Sequence, residues 1–518
     1  MWARNRRHDI SAFRSHARRR EQAASARHAL LPLLLALTLS ACAAGPDFKR
    51  PAAPPNARYL PRNDLPVYTT AIGQTQHFRY GADVSATWWH ALHSQAIDAL
   101  VSQAIAGNPD LQVAQASLQQ AQDSLRAGQG IFFPQIGGNL GAARERSAPA
   151  GLGLRGAGGI FNLFTLGATV SYALDLLGGE RRTVEALHAG VDTQRYTLQG
   201  AYQTLIGNVV NTALARQAYA DEITAMRQLI SLQTQQLDLV DARIRGGGEA
   251  YTDLLSLRSA RALNIAQLAS LALKRDQADH LLHTLLGQTP GEARIPDIDF
   301  AALHLPATLP VSLPSELVRQ RPDILAAEAR LHQASANIGV ATAALFPSIS
   351  LSGDYGAEAN TTGALGQGKS RFWSGDASVQ QPVFQGGTRW FNRKAAIDAY
   401  QSSLQSYRST VLAAFQQVAD VLKALQHDAE SLQANDEAQR DAAEALQLVQ
   451  ANYAAGLSNN VQVLVADAQY RQARIAYLQA LAQRYQDTVA LYIALGGGGW
   501  HGMENDAAVS TAKAGRHR

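Results

Sequence analysis

The sequence predicts a mainly α-helical fold with a small transmembrane β part, written twice as a helix–β-hairpin–long helix–helix unit. Three observations lead there. Landmarks recur at an interval of about 210 residues. Apolar stripes persist over many helical turns, and short alternating runs sit between glycine-rich turns.

The repeat comes first because it organises the rest. "NPDLQVAQASLQQAQ" from Asn108 returns as "RPDILAAEARLHQAS" from Arg321, and "IFFPQI" returns as "ALFPSI". Pro109 and Pro322 stand 213 residues apart, as do Pro134 and Pro347. Gly178 and Gly386 are separated by 208, Leu286 and Leu495 by 209. The interval is far too long for a solenoid and implies a duplicated domain. The slip falls between Pro134 and Gly178, where loops should absorb it.

The N-terminus reads as an export leader. Eight arginines and two acids precede a run of apolar residues from Ala29 to Ala41. That run is too short to span a bilayer, which takes about 20 apolar residues. It ends at Cys42, the only cysteine among 518 residues. "LSAC" resembles a bacterial lipobox, so cleavage is expected between Ala41 and Cys42, with Cys42 carrying an N-acyl group and an S-diacylglycerol. The leader holds a net charge of +6 out of +4 for the whole chain, leaving −2 for the remainder. A basic footprint for nucleic acid is thereby excluded.

Each copy then shows the same order of signals. A helical stretch (93–131 and 314–345) ends at Phe-Pro, because proline cannot continue the ladder and disfavours helix before it. Two extended runs and a Gly-Gly break follow. Next come very long helical stretches (180–245 and 388–455), ended by Gly246-Gly247-Gly248 and by Gly456 as C-caps. A last helix (250–286 and 460–495) closes each copy. Ile397, Leu404, Val411, Val418, Leu425 and Leu432 recur every seven residues, and Val184, Val191, Leu198 and Leu205 do likewise. Sustained heptads imply coiled-coil-like packing. Small polar residues on the other faces suit curved packing around water.

The extended runs alternate. Ile349, Leu351 and Tyr355 share one face, opposite Ser348, Ser350, Ser352, Asp354 and Glu358. Trp373, Ala377, Val379 and Val383 oppose Ser374, Asp376, Ser378 and Gln380. Phe164, Leu166, Val170, Tyr172 and Leu174 oppose Thr165, Thr169, Ser171 and Asp175. Runs of about ten residues, apolar on one side and polar on the other, mark a transmembrane barrel. Four strands cannot close, and an open edge is not viable in lipid, so several chains must pool strands.

At this point the chain resembles the TolC-like outer-membrane factors, in particular the OprM/NodT lipoprotein branch of tripartite efflux systems. The resemblance rests on "SACAAGPDFKRP", "WWHALHSQAIDALVSQAIAGNPDL", "RPDILAAEARLHQASANIGVATAALFPSISLSGDYG", the Phe384-Gln385-Gly386-Gly387 turn and "RYQDTVALYIALGGGGW". It covers residues 42–500 in order. It implies a homotrimer whose twelve strands form one outer-membrane barrel, continued by a periplasmic α-helical barrel. It also implies a periplasmic adaptor (membrane fusion) protein and an inner-membrane pump, with outer-membrane lipid as the surrounding medium and no cofactor. The organisation expected is a signal peptide (1–41), a lipidated extended segment (42–92), a first efflux repeat (93–290), a linker (291–313), a second efflux repeat (314–498) and a disordered tail (499–518).

Members of this family are closed at rest at the periplasmic tip. The matching positions are Asn459, Asn460, Val461 and Val465. Where close relatives carry an aspartate ring, this chain has Val465, which implies an apolar constriction closing by dewetting.

Enzymatic readings fail on context. "GLGLRG" (Gly151, Gly153, Gly156) follows no buried parallel strand and opens no helix, as a dinucleotide loop must. His280 and His283 have no ligand cluster around them in the sequence. Two further readings compete with the efflux duct: a lipid-anchored coiled-coil scaffold without a channel, and the exit duct of a type I protein secretion system.

Overall fold

The computed structural model describes residues 44–53, 58–61, 67–71, 74–146, 159–248, 250–292, 294–300 and 302–497. Ala41, Cys42, the "GLGLRG" segment and the tail lie outside them. Among the described residues the helices are α1 (Gln95–Gly107), α2 (Pro109–Gln129), α3 (Gly179–Arg245), α4 (Tyr251–Leu285), α5 (Pro314–Gln320), α6 (Pro322–Ala343), α7 (Thr388–Ala454) and α8 (Asn460–Ala494). The strands are β1 (Tyr68–Ala71), β2 (Gln74–Tyr80), β3 (Gln135–Arg146), β4 (Ile160–Leu174), β5 (Thr308–Val311), β6 (Ser348–Ala359) and β7 (Arg371–Gln380). No described helix is long and apolar enough to cross a membrane.

Glycine and proline punctuate both copies alike. Gly456 has φ of 76°, donates to Tyr453 O at 3.0 Å, and Leu457 N–H donates to Asn452 O at 2.8 Å. That pair of bonds is the Schellman ending, which requires a left-handed residue. Gly247 ends α3 with the same two bonds, to Ile244 and Arg243, at φ 76°. The stretches expected as single helices over 93–131 and 314–345 are each broken in two. Pro109 and Pro322 occupy the first position of α2 and α6, and the residues before them, Asn108 and Arg321, are extended at ψ 122° and 124°. A proline N-terminus needs no N–H and forces its predecessor out of the helical region.

The chain forms two compact units. The first holds residues 120–192 and 329–405 with the N-terminal segment up to 50. Its sheet runs β3-β4-β6-β7, antiparallel throughout. The β3–β4 turn spans 147–159 and the β6–β7 turn 360–370, so part of the slip in the repeat falls in the hairpins.

The second unit holds residues 51–119, 193–328 and 406 onward. Its core joins Val209, Val210 and Leu214 of α3 to Val418, Leu422 and Leu425 of α7, with Ile97 and Leu100 of α1 and Val489 of α8. Of the heptad stripe on α7, Val411, Val418, Leu425 and Leu432 are buried, while Ile397 and Leu404 are half-buried. A three-stranded sheet, β1-β2-β5, packs into this unit, with β5 parallel to β2. Arg484 of α8 fastens it. Its guanidinium donates to Thr69 Oγ1 at 2.5 Å, to Gln76 Oε1 and to the Leu425 carbonyl. Trp88 stacks on Tyr492 with ring centroids 5.2 Å apart.

Candidate functional site

The four-stranded sheet has two chemically distinct faces. Residues paired directly across an antiparallel ladder point to the same side. Ile136 pairs with Val170, Leu140 with Leu166, Leu351 with Tyr172 and Ala377, Tyr355 with Trp373, and Ile349 with Leu174 and Val379. Three independent registers therefore gather all these apolar side chains on one side. That side is open: Leu140 is 80% and Trp373 79% exposed. The opposite side carries a polar ladder. Thr169 donates to Asp354 at 2.6 Å, Ser374 to the same carboxylate at 3.1 Å, and Ser350 meets Ser378 at 2.8 Å.

The facing read from alternation agrees with these registers, with one correction. Val383 lies beyond β7, which ends at Gln380, because Pro382 has no N–H to give the ladder. The glycine-rich β3 joins the pattern only through its partners. Its glycines leave Ile136 and Leu140 as the apolar signal.

The helical reversals form the second feature. Asn459 is the N-cap of α8: its Oδ1 accepts from Gln462 N–H and its own N–H donates to Gln462 Oε1, both at 2.9 Å. This reciprocal box occupies the Asn459 side chain locally. Asn460 opens the helix. Val461 is half-buried, and Val465, one turn further along the same face, is 47% exposed. In the first copy Ala250 starts α4 without a side-chain cap.

A half-buried carboxyl pair lies near Arg484. Asp428 of α7 is pushed up to about 8 by burial, then by hydrogen bonding and repulsion from Asp487, with Arg484 opposing. Burial likewise pushes the Arg484 guanidinium down to about 10. His283 is buried, its Nε2 3.7 Å from Asp279 one turn away, and His280 projects from the same helix.

The model of the outer membrane efflux protein family matches residues 100–288 and again 313–497. The chain belongs to that family. It is an outer-membrane channel of efflux systems and not an enzyme, which sets aside the scaffold and catalytic readings. The channel is 31% identical over 421 residues to the pyoverdine export outer membrane protein OpmQ of Pseudomonas putida, covering 79% of this chain and 88% of that one. It is 28% identical to the cation efflux system protein CusC of Escherichia coli, covering 90% and 99%. Its fold matches the solved outer-membrane channel OprN with a TM-score of 0.77 at 27% identity, over 88% of this chain and 99% of that one. Sequence reading missed two residues of the channel, Arg182 and Arg484. Both are arginines on long helices that each reach at least one partner more than a hundred residues away.

Proposed function

We propose that three copies of this channel pool their sheets into one twelve-stranded barrel and form the passive exit duct of a tripartite efflux system. The observation that carries the reading is the sheet itself: its apolar face is exposed, and among the described residues β3 and β7 each pair on one side only. Such edges are costly in hydrocarbon unless another chain continues the ladder. Two chains would supply eight strands and three chains twelve; the family resemblance selects three. The apolar face then meets lipid and the polar ladder meets water.

A periplasmic adaptor and an inner-membrane pump complete the assembly, and the pump supplies the energy. Relatives of nearly equal similarity are named for pyoverdine and for cations. That breadth supports a duct that selects little, with cargo chosen by the pump. Cys42 is the acylated N-terminus, reinforcing the barrel as an anchor. A single acyl chain holds a membrane only marginally, whereas the several chains of such a cysteine together with a barrel anchor it firmly.

The resting closure lies at the reversal around Gly456, where copies of Val461 and Val465 from the three chains converge. A narrow apolar ring resists wetting. Opening requires the adaptor to bind the open form better than the closed one. The test is planar-bilayer conductance of the purified trimer against Val465→Asp, with and without a trivalent cation. The variant should conduct more at rest and be blocked by the cation. Equal conductance and indifference to the cation would move the gate elsewhere, and absence of channels in both would overturn the duct itself.

A further inference from the structure

The segment that follows Cys42 is seated on the first unit by a dedicated receptor. Ala44 N–H donates to the carbonyl of Leu177 at 2.8 Å, just past the end of β4. The Ala44 carbonyl accepts from Arg182 Nε at 3.2 Å, and Asp47 Oδ1 accepts from Arg182 Nη2 at 2.6 Å. Nη1 of the same guanidinium donates to Glu185 at 2.6 Å. The Arg182 side chain is only 6% exposed, whereas that of Asp47 is 87% exposed.

Two further contacts lay the segment flat. Phe48 stacks on His332 at 4.4 Å and 15°, and His332 Nε2 lies 2.8 Å from Glu185 Oε1. Gly45, at φ 87°, meets Gly339 of α6 so closely that a Cβ on Gly45 would fall 2.5 Å from Gly339 Cα. A Cβ on Gly339 would lie 2.8 Å from the Ala44 carbonyl oxygen. Without this segment the guanidinium keeps Glu185 and gives up two charge-assisted hydrogen bonds for water.

We propose that residues 44–48 are a strap, with Arg182 as its clasp, that holds the acylated Cys42 beside the end of β4. Only Ala43 separates Cys42 from Ala44, so their Cα atoms lie at most about 7 Å apart. Lipid chains and barrel therefore enter the same leaflet at one level, and inserting either brings the other to its place at high effective concentration. The inference rests on acylation of Cys42, and the experiment reads the two separately.

Trypsin reports on the strap at Lys49, because the next basic residue, Arg50, precedes Pro51 and resists cleavage. The full-length protein is assayed in detergent by mass spectrometry of the released N-terminal peptide, alongside heat-resistant trimer on gels. Wild type should release it slowly. Arg182→Ala should release it on the order of tenfold faster, as proteolysis follows the open population. Asp47→Asn, at an exposed position that leaves the fold intact, should give a smaller acceleration, and Gly339→Ala should lift the strap without any change of charge. A wild type cut as fast as Asp47→Asn and Gly339→Ala, with trimers intact, overturns the strap. A protected peptide that carries no acyl mass leaves the docking standing and overturns the lipid assignment instead. A flexible eight-residue spacer between Ala43 and Ala44 should slow trimer appearance in the membrane. Unchanged kinetics would overturn the coupling of anchor to barrel.

Discussion

Arg275 and Arg484 occupy equivalent places in the two copies, 209 residues apart on helices that begin and end alike. Arg275 is exposed and pairs with its neighbour Asp276. Arg484 is 1% exposed and holds the three-stranded sheet. The same divergence recurs at the reversals, where uncapped Ala250 stands opposite the capped Asn459. Duplication has kept the glycines and prolines that set the backbone path and has released the side chains for different work. The second copy carries the seat for the small sheet and the stiffer turn.

The comparison is sharpest where the copies differ most. Arg484→Ala removes a buried charge from its hydrogen bonds and should cost about 3–5 kcal/mol, while Arg275→Ala should stay within about 0.5 kcal/mol. Both are read as the thermal unfolding temperature of the detergent-solubilised protein. Equal shifts would erase the distinction between the copies. In the four-stranded sheet the copies should instead behave alike. Leu351→Arg in the second and Leu166→Arg in the first each place a charge toward lipid and should cost roughly 2–4 kcal/mol near the midplane. Ser350→Arg, on the polar side, should assemble normally. Assembly defects of the same size in all three would mean that the facing is wrong.

Smaller effects refine the picture. Asn459→Ala should cost about 1 kcal/mol by losing the capping box, and Ala250→Asn should gain a fraction of that. Amide exchange in the first turns of α8 and α4 would register both. The pH profile isolates the second copy. Burial and the neighbouring Asp487 carboxylate push the Asp428 carboxyl up to about 8 in the folded state, whereas an unfolded aspartate titrates near 4. Over that interval the folded state binds more protons, so this group's contribution falls as pH rises. Asp428→Asn should therefore raise the unfolding temperature at pH 8 and leave it nearly unchanged at pH 4. A parallel gain at both pH values would show that Asp428 is already ionised in the folded protein.

Much of this architecture is legible in residue order because proline, glycine and alternation act locally. Pro109 and Pro322 mark the register of the repeat, although the helix breaks they impose are read through, and Leu351 beside Ser350 announces two faces. The three-stranded sheet was hidden for the opposite reason. β1 and β5 are four residues each, Gln76 and Thr69 break any apolar alternation, and β5 pairs with β2 from more than two hundred residues away. Arg484 reads as a solvated helix residue until Thr69, Gln76 and Leu425 are brought around it. At the reversal, the Asn459–Gln462 spacing was a readable capping signal; the structure commits the Asn459 side chain to it.

The corners before the two prolines have a consequence for how such a chain could be divided. Asn108 Nδ2 donates to the Leu285 carbonyl at 3.0 Å, and Arg321 Nη1 donates to the Ala494 carbonyl at 2.7 Å. In each case the start of a copy is tied to the end of the same copy, so each half of the polypeptide is stitched into a loop of its own. A chain break placed between residues 289 and 306 would sever neither stitch. The β2–β5 ladder would then be one of the seams between two fragments, beside the longer β4–β6 ladder and the core shared by α3 and α7. An ancestor of half the length needed only to make that stitch with itself before tandem copying joined two of them.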